Sequence, residues 1–275
     1  MKKSYKKDRQ RLTKTEKKKR KINQTINLIL RALVVLSMIS QILNHNWNNV
    51  LLCIFTLILF TLPEIISKTV NITIPTTLEI SVYLFIFASA FLGEVQNFYE
   101  IFTHWDTILH TLNGFLCAAI GFSLIDTINH NEDYHINMSP AFAALVAFSF
   151  SMTVGVVWEF AEYSADQYLG KDMQKDKIIQ EFQSIKINET GENIPIPIKD
   201  INKTELYNSK GEKILTVEGG YLDIGIHDTM KDLIVNFIGA FVFSIFGYLY
   251  TKNKEGYRFL EIILFKTNKS SQKLE

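Results

Sequence analysis

Residues 105–125 read WDTILHTLNGFLCAAIGFSLI, and from Thr107 onward the run carries one imidazole, one side-chain amide and no formal charge. A helix rises about 1.5 Å per residue, so a run of this length reaches across a hydrocarbon core of about 30 Å. Working outward, comparable apolar runs cover 26–43, 49–62, 78–95, 140–160 and 233–250. The chain of 275 residues is therefore read as an all-α polytopic membrane protein of about six transmembrane helices. The run at 49–62 is the shortest and ends at Pro63.

Charge is segregated along the chain. Residues 1–21 hold twelve Lys/Arg against two acids, whereas the remainder holds seventeen against twenty-six. Basic flanks mark the cytoplasmic side, which places residues 1–22 inside as a basic tail. Residues 251–275, with six Lys/Arg against three acids, form a second cytoplasmic tail. Two inside termini require an even number of spans, which keeps the short second helix. The expected location is a bacterial cell membrane, crossed several times, with membrane lipid as the immediate partner. Asp8 and Glu16 are the two acids of the first tail, and no small-x-small cleavage site follows the first run. Arg31, inside that run, can extend its charge to the near surface. Cys53 and Cys117 both fall in apolar runs and read as inert small hydrophobes.

The membrane domain, 23–250, is interrupted by a polar segment, 164–227, that this topology places outside the cytoplasm. It is expected to continue as a helix from Asp166 to Phe182. It then becomes a small β-rich insert of two to four strands, around 184–188, 194–198 and 213–217, separated by turn sequences such as Asn208-Ser209-Lys210-Gly211.

Ionisable and amide side chains recur at helical spacing in three runs. Asp106 and His110 are four apart with Asn113 a turn further on; Glu159 and Glu162 are three apart with Asp166 four beyond. Asp228, Asp232 and Asn236 recur every four residues. Such spacings align side chains on one helix face. The fourth and sixth spans begin outside and the fifth ends there, so all three stripes converge at one membrane face. Glu94, at the end of the third span, can join the rim, and His104 either neighbours the pocket or is exposed to solvent. Taken alone, Asp106 and Asp166 are acids at helix ends, a tolerated position. Together the stripes describe a polar pocket, because charge inside a membrane is costly and is kept for pairing, ion binding or a pathway.

Carboxylates with one imidazole suit a divalent cation such as Mg²⁺, Mn²⁺ or Zn²⁺. In the leading reading His110, Glu159 and Asp232 are the metal ligands, Glu162 is the catalytic general base and Asn236 orients. Asp106, Asn113, Asp166 and Asp228 complete the pocket. The reaction would be metal-assisted hydrolysis or transfer on a lipid-linked or envelope substrate. The alternative is a non-enzymatic protein: ion or solute translocation, or a binding scaffold. A through-path is disfavoured by the apolar inner halves at 117–124 and 240–250. Gly114, Gly121, Gly155 and Gly239 permit close helix approach. Trp105 and Trp158 read as an interfacial belt. His227 is either a ligand or a loop residue, and His45, His130 and His135 are loop residues. No Walker, HExxH, CxxC or Ser-His-Asp pattern occurs, and the basic tail alone does not argue for nucleic acid.

Four strings, WDTILHTLNGFL (105–116), GVVWEF (155–160) with Asp166-Gln167, GKDMQ (170–174) and DTMKDLIVN (228–236), occur in this order. They resemble the uncharacterised bacterial membrane proteins typified by YjdF, over about residues 50–250. More loosely, the Asp-x3-His, Glu-rich and Asp-x3-Asp-x3-Asn helices are similar to VanZ-like proteins, which implies a cell-envelope association and no particular mechanism. The chain departs from the pattern in its basic N-terminal tail and in the insert at 177–220, where the family passes quickly from the Met-Gln motif to the Asp-Thr-Met helix.

Overall fold

The computed structural model describes residues 14–70, 72–129 and 138–265. Residues 1–13 of the basic tail, His130, His135 and residues 266–275 lie outside the described residues. Among the described residues, six helices are long and apolar enough to cross a membrane: Lys17–Leu43, Trp47–Thr69, Thr76–Val95, Trp105–Asn129, Pro140–Leu169 and Ile226–Lys252. The chain is a helical, polytopic membrane protein with a small strand insert.

Two compact units are present. One comprises residues 1–153 and 235–275, the other 154–234, and both boundaries fall within long helices.

In the first unit, α1 (Lys14–Leu43) packs on α2 (Trp47–Leu59) and on α4 (Thr76–Ile86). The short second run reaches spanning length because the chain resumes as α3 (Leu62–Val70) after two intervening residues. Pro63 falls in the first turn of α3, where a missing N–H costs nothing. Val34, Cys53, Phe60, Tyr83, Phe91 and Val95 fill the core between these helices. The third span continues from α4 into a π-helix, Phe87–Val95. Its wide turns bond five residues back, as from the Gln96 N–H to the Phe91 carbonyl at 3.1 Å. The Trp105 indole N–H donates to the Ala88 carbonyl there at 3.2 Å. A short turn, α5 (Phe98–Ile101), leads into α6 (Trp105–Asn129).

A second core joins α6 to the first part of α7 (Pro140–Leu169) and the later part of α8 (Ile226–Lys252). Ala118, Ala119, Phe122, Ala143, Ala147, Ala240 and Phe243 form it, with Leu260 and Leu264 from beyond α8. Two glycines set the approach of α6 and α8. A Cβ on Gly114 would stand 2.1 Å from the Asn236 carbonyl oxygen, and one on Gly239 would stand 2.0 Å from that of Thr111. The helices meet backbone to backbone, as small residues allow in membranes. Gly121 likewise admits the Phe150 side chain.

The second unit holds the end of α7, six short strands and the start of α8. The predicted helix to Phe182 is wrong: α7 ends at Leu169. Gly170 adopts φ +60°, and the Lys171 N–H turns back to the Ala165 carbonyl at 3.4 Å. The insert has more strands than expected among the described residues, in three antiparallel pairs. These are β1 (Lys177–Ile179) with β6 (Tyr221–Asp223), β2 (Phe182–Ser184) with β3 (Ile196–Ile198), and β4 (Lys203–Tyr207) with β5 (Lys213–Glu218). The first and last strands pair, Lys177 opposite Asp223 and Ile179 opposite Tyr221, so the insert closes at its own neck.

Candidate functional site

In the first unit, the α6 stripe forms as its spacing predicts. His110 is buried, and its Nε2 lies 3.3 Å from an Asp106 carboxylate oxygen one turn earlier. One turn later the Asn113 amide donates to the Asn236 side-chain oxygen on α8 at 3.0 Å. Asn236 is fully enclosed, and its own amide faces the Met152 sulfur at 3.5 Å. The Ser151 hydroxyl on α7 donates to the Gly114 carbonyl at 2.8 Å. Asn113, Asn236 and Ser151 thus make a polar layer where the two glycines bring the backbones together. A Cβ at Gly114 would displace this layer.

In the second unit, Glu159 and Glu162 are buried, at 4% and 7% exposure, on a helix apolar enough to cross a membrane. The Trp158 indole N–H donates to Glu162 at 2.6 Å, four residues along. Trp158, an interfacial belt residue by its place in the sequence, also fixes the orientation of a buried carboxylate.

Asp166 turns to the loop that follows its helix. Its two carboxylate oxygens accept the Met173 N–H at 2.6 Å and the Gln174 N–H at 2.8 Å. The Gln174 side-chain amide in turn donates to the Thr229 hydroxyl at the start of α8. Gly225, at φ +104°, makes room, since a Cβ there would stand 2.6 Å from the Gln174 Cβ. Asp228 is buried and accepts from the Lys175 N–H at 3.1 Å and the Lys177 ammonium at 2.9 Å. The GKDMQ string and the residues just after it, to Lys177, are therefore a clasp joining the end of α7 to the start of α8, with Asp166 and Asp228 as its anchors.

Asp232, only 1% exposed, has the Lys231 ammonium 3.4 Å away, and that ammonium lies 3.8 Å from Asp228. Lys177, Lys231 and Gln174 are members of this polar system that sequence reasoning missed. The three-residue spacing of Asp228 and Lys231 on one helix was the available signal. His227 turns toward Asp223, its Nδ1 3.1 Å from a carboxylate oxygen and its backbone N–H 3.0 Å from the same atom. Asp176, in the loop, has its carboxyl held above the usual range by desolvation, then by the charges of Asp172, Asp166 and Asp223.

The family model described as "Predicted membrane protein (DUF2238)" matches residues 23–253. An uncharacterized protein of Thermotoga maritima is 27% identical over 107 residues, which are 39% of this chain and 53% of that protein. The aligned region thus spans about half the length of that curated relative. No solved structure matches the chain.

Proposed function

The chain belongs to the DUF2238 family of predicted membrane proteins, and from that premise we propose a multi-pass protein of the bacterial cell membrane whose fourth, fifth and sixth spans form one polar pocket toward the envelope. Both termini are cytoplasmic in this reading, as the basic ends suggest. Asp106, His110, Asn113, Glu159, Glu162, Asp232 and Asn236 would line the pocket. The observation that carries it is the burial of Glu159, Glu162 and Asp232 on helices apolar enough to span a bilayer. A buried carboxylate costs several kcal/mol unless its charge is shared. Carboxylates and an imidazole are the ligand types that suit a hard or borderline divalent cation, Mg²⁺, Mn²⁺ or Zn²⁺.

His110, Glu159 and Asp232 would hold that cation, which supplies polarisation of a phosphoryl or acyl oxygen when bound. Glu162, oriented by the Trp158 N–H, would take the proton from the attacking water or hydroxyl. Asn236, immobilised by Asn113, would orient the reacting group. The substrate class is a lipid-linked or envelope molecule, because the reacting centre would stand at a membrane face.

Metal analysis of detergent-purified protein tests this reading. The wild type is expected to carry about one divalent cation per chain and His110→Ala far less, since a lost ligand weakens a site sharply. Equal metal content in the two proteins would reject it. A second reading, a non-enzymatic scaffold, is favoured by Lys231, whose ammonium lies within 4 Å of both Asp228 and Asp232 and can balance their charge without a metal. It expects a metal-free wild type destabilised by Lys231→Ala. Translocation is opposed by the close-packed Ala118, Phe122, Ala240 and Phe243 core beyond the polar layer.

A further inference from the structure

We propose that residues 17–21 of α1 form a collar that binds the headgroups of anionic phospholipids. Lys17, Lys18, Lys19, Arg20 and Lys21 are consecutive, and all five are exposed. They belong to one helix that runs unbroken from Lys14 to Leu43 into the first span. Successive residues are turned by about 100°, so five in a row place cations on every side of the helix. A helix lying flat on a membrane needs one polar and one apolar face, and this segment has no apolar face. It therefore stands upright through the surface layer.

Lengths agree with that placement. The apolar run of the helix, residues 26–43, is about 27 Å long at 1.5 Å per residue, close to the hydrocarbon core of about 30 Å. Residues 17–21 begin about 7 Å beyond its end, near the thickness of one headgroup layer, and their long side chains reach back into that layer. The next turn toward the core fixes the depth. The buried Asn23 amide donates to the Glu79 carboxylate of α4 at 2.5 Å, and the Tyr83 hydroxyl donates to the same group at 2.9 Å. The collar thus sits one turn outside a polar tie between two spans and is held at the level of lipid phosphates. Five long cationic side chains there recognise the negative charge of a phosphatidylglycerol-type headgroup over the net-neutral phosphatidylcholine.

The test is retention of lipid by the full chain in mixed micelles holding equal amounts of phosphatidylglycerol and phosphatidylcholine, read by native mass spectrometry. The wild type is expected to retain the anionic lipid about tenfold over the neutral one, with the preference shrinking several-fold between about 0.05 M and about 0.5 M salt. The variant K17Q/K18Q/K19Q/R20Q/K21Q should fall to parity. The variant K2Q/K3Q/K6Q/K7Q, which leaves residues 17–21 unchanged, should keep the preference, as should the wild type with added glycerol phosphate. Parity in the wild type, a preserved preference in the collar variant, an equal loss in the distal variant, or competition by glycerol phosphate would each overturn the proposal. If the collar variant does not accumulate, the salt series, the distal variant and the glycerol phosphate arm decide.

Discussion

At the scale of single residues, the least forgiving positions carry no side chain. Gly114 and Gly239 face backbone carbonyls at distances no Cβ can occupy, and neither obstacle is the movable end of a side chain. Gly114→Ala is expected to cost about 1–3 kcal/mol through forced separation of α6 and α8. A lowered unfolding midpoint in detergent checks this, and an unchanged midpoint would contradict the contact. Asp176 offers a test of opposite sign. A carboxyl raised above its unfolded value costs nothing where both states are protonated, and its cost is complete once pH exceeds the folded value. Asp176→Asn should therefore stabilise the protein near neutral pH, and the gain should disappear in acid near the ordinary carboxylate range. Thermal unfolding of both proteins across that pH range reads the difference. These residues were unequally legible. The glycines could be read as contact points from their place on apolar helices. Lys231 left a signal in its three-residue spacing from Asp228, but Lys177 could not be read, because a lysine in a polar segment has the same sequence signature whether it is solvated or anchoring a buried acid.

At the scale of elements, the spans were legible because a bilayer demands long uninterrupted apolar runs. Even the short run ending at Pro63 reaches spanning length once α3 continues it. The strands were harder. Each is three to six residues long, and β1 finds its partner β6 about forty residues later, beyond any local pattern. The end of α7 was missed for a different reason. Residues past Leu169 are acceptable helix formers, but Gly170 and the carboxylate of Asp166 give the chain a competing path. At the neck of the insert Ile179 and Tyr221 are cross-strand partners, so replacing residues 180–220 with a two-residue Asn-Gly turn should leave a membrane-inserted, monodisperse protein. Extending the replacement back through Lys177 removes the partner of buried Asp228 and should lower the unfolding midpoint. Size-exclusion profiles and melting of the two proteins separate the cases. Aggregation of both would show that the middle strands support the helices.

At the scale of the whole molecule, orientation in the bilayer follows from where positive charge is concentrated. Reporter fusions at Lys210 and after residue 275 are expected to report opposite compartments, because the insert and the C-terminus lie on either side of the last span. The same compartment for both would overturn the topology and the envelope-facing pocket with it. The three acidic stripes were visible in the sequence as spacings; the clasp between Asp166, Gln174, Thr229 and Asp228 was not, because its members lie on three separate segments. The closed neck also has a genetic consequence. A stretch of chain that enters and leaves through adjacent paired strands can be gained or lost as a cassette of coding sequence without shifting the reading of either flanking helix. Variation in gene length should therefore accumulate between the codons for Ile179 and Tyr221, while the codons on either side stay fixed in number.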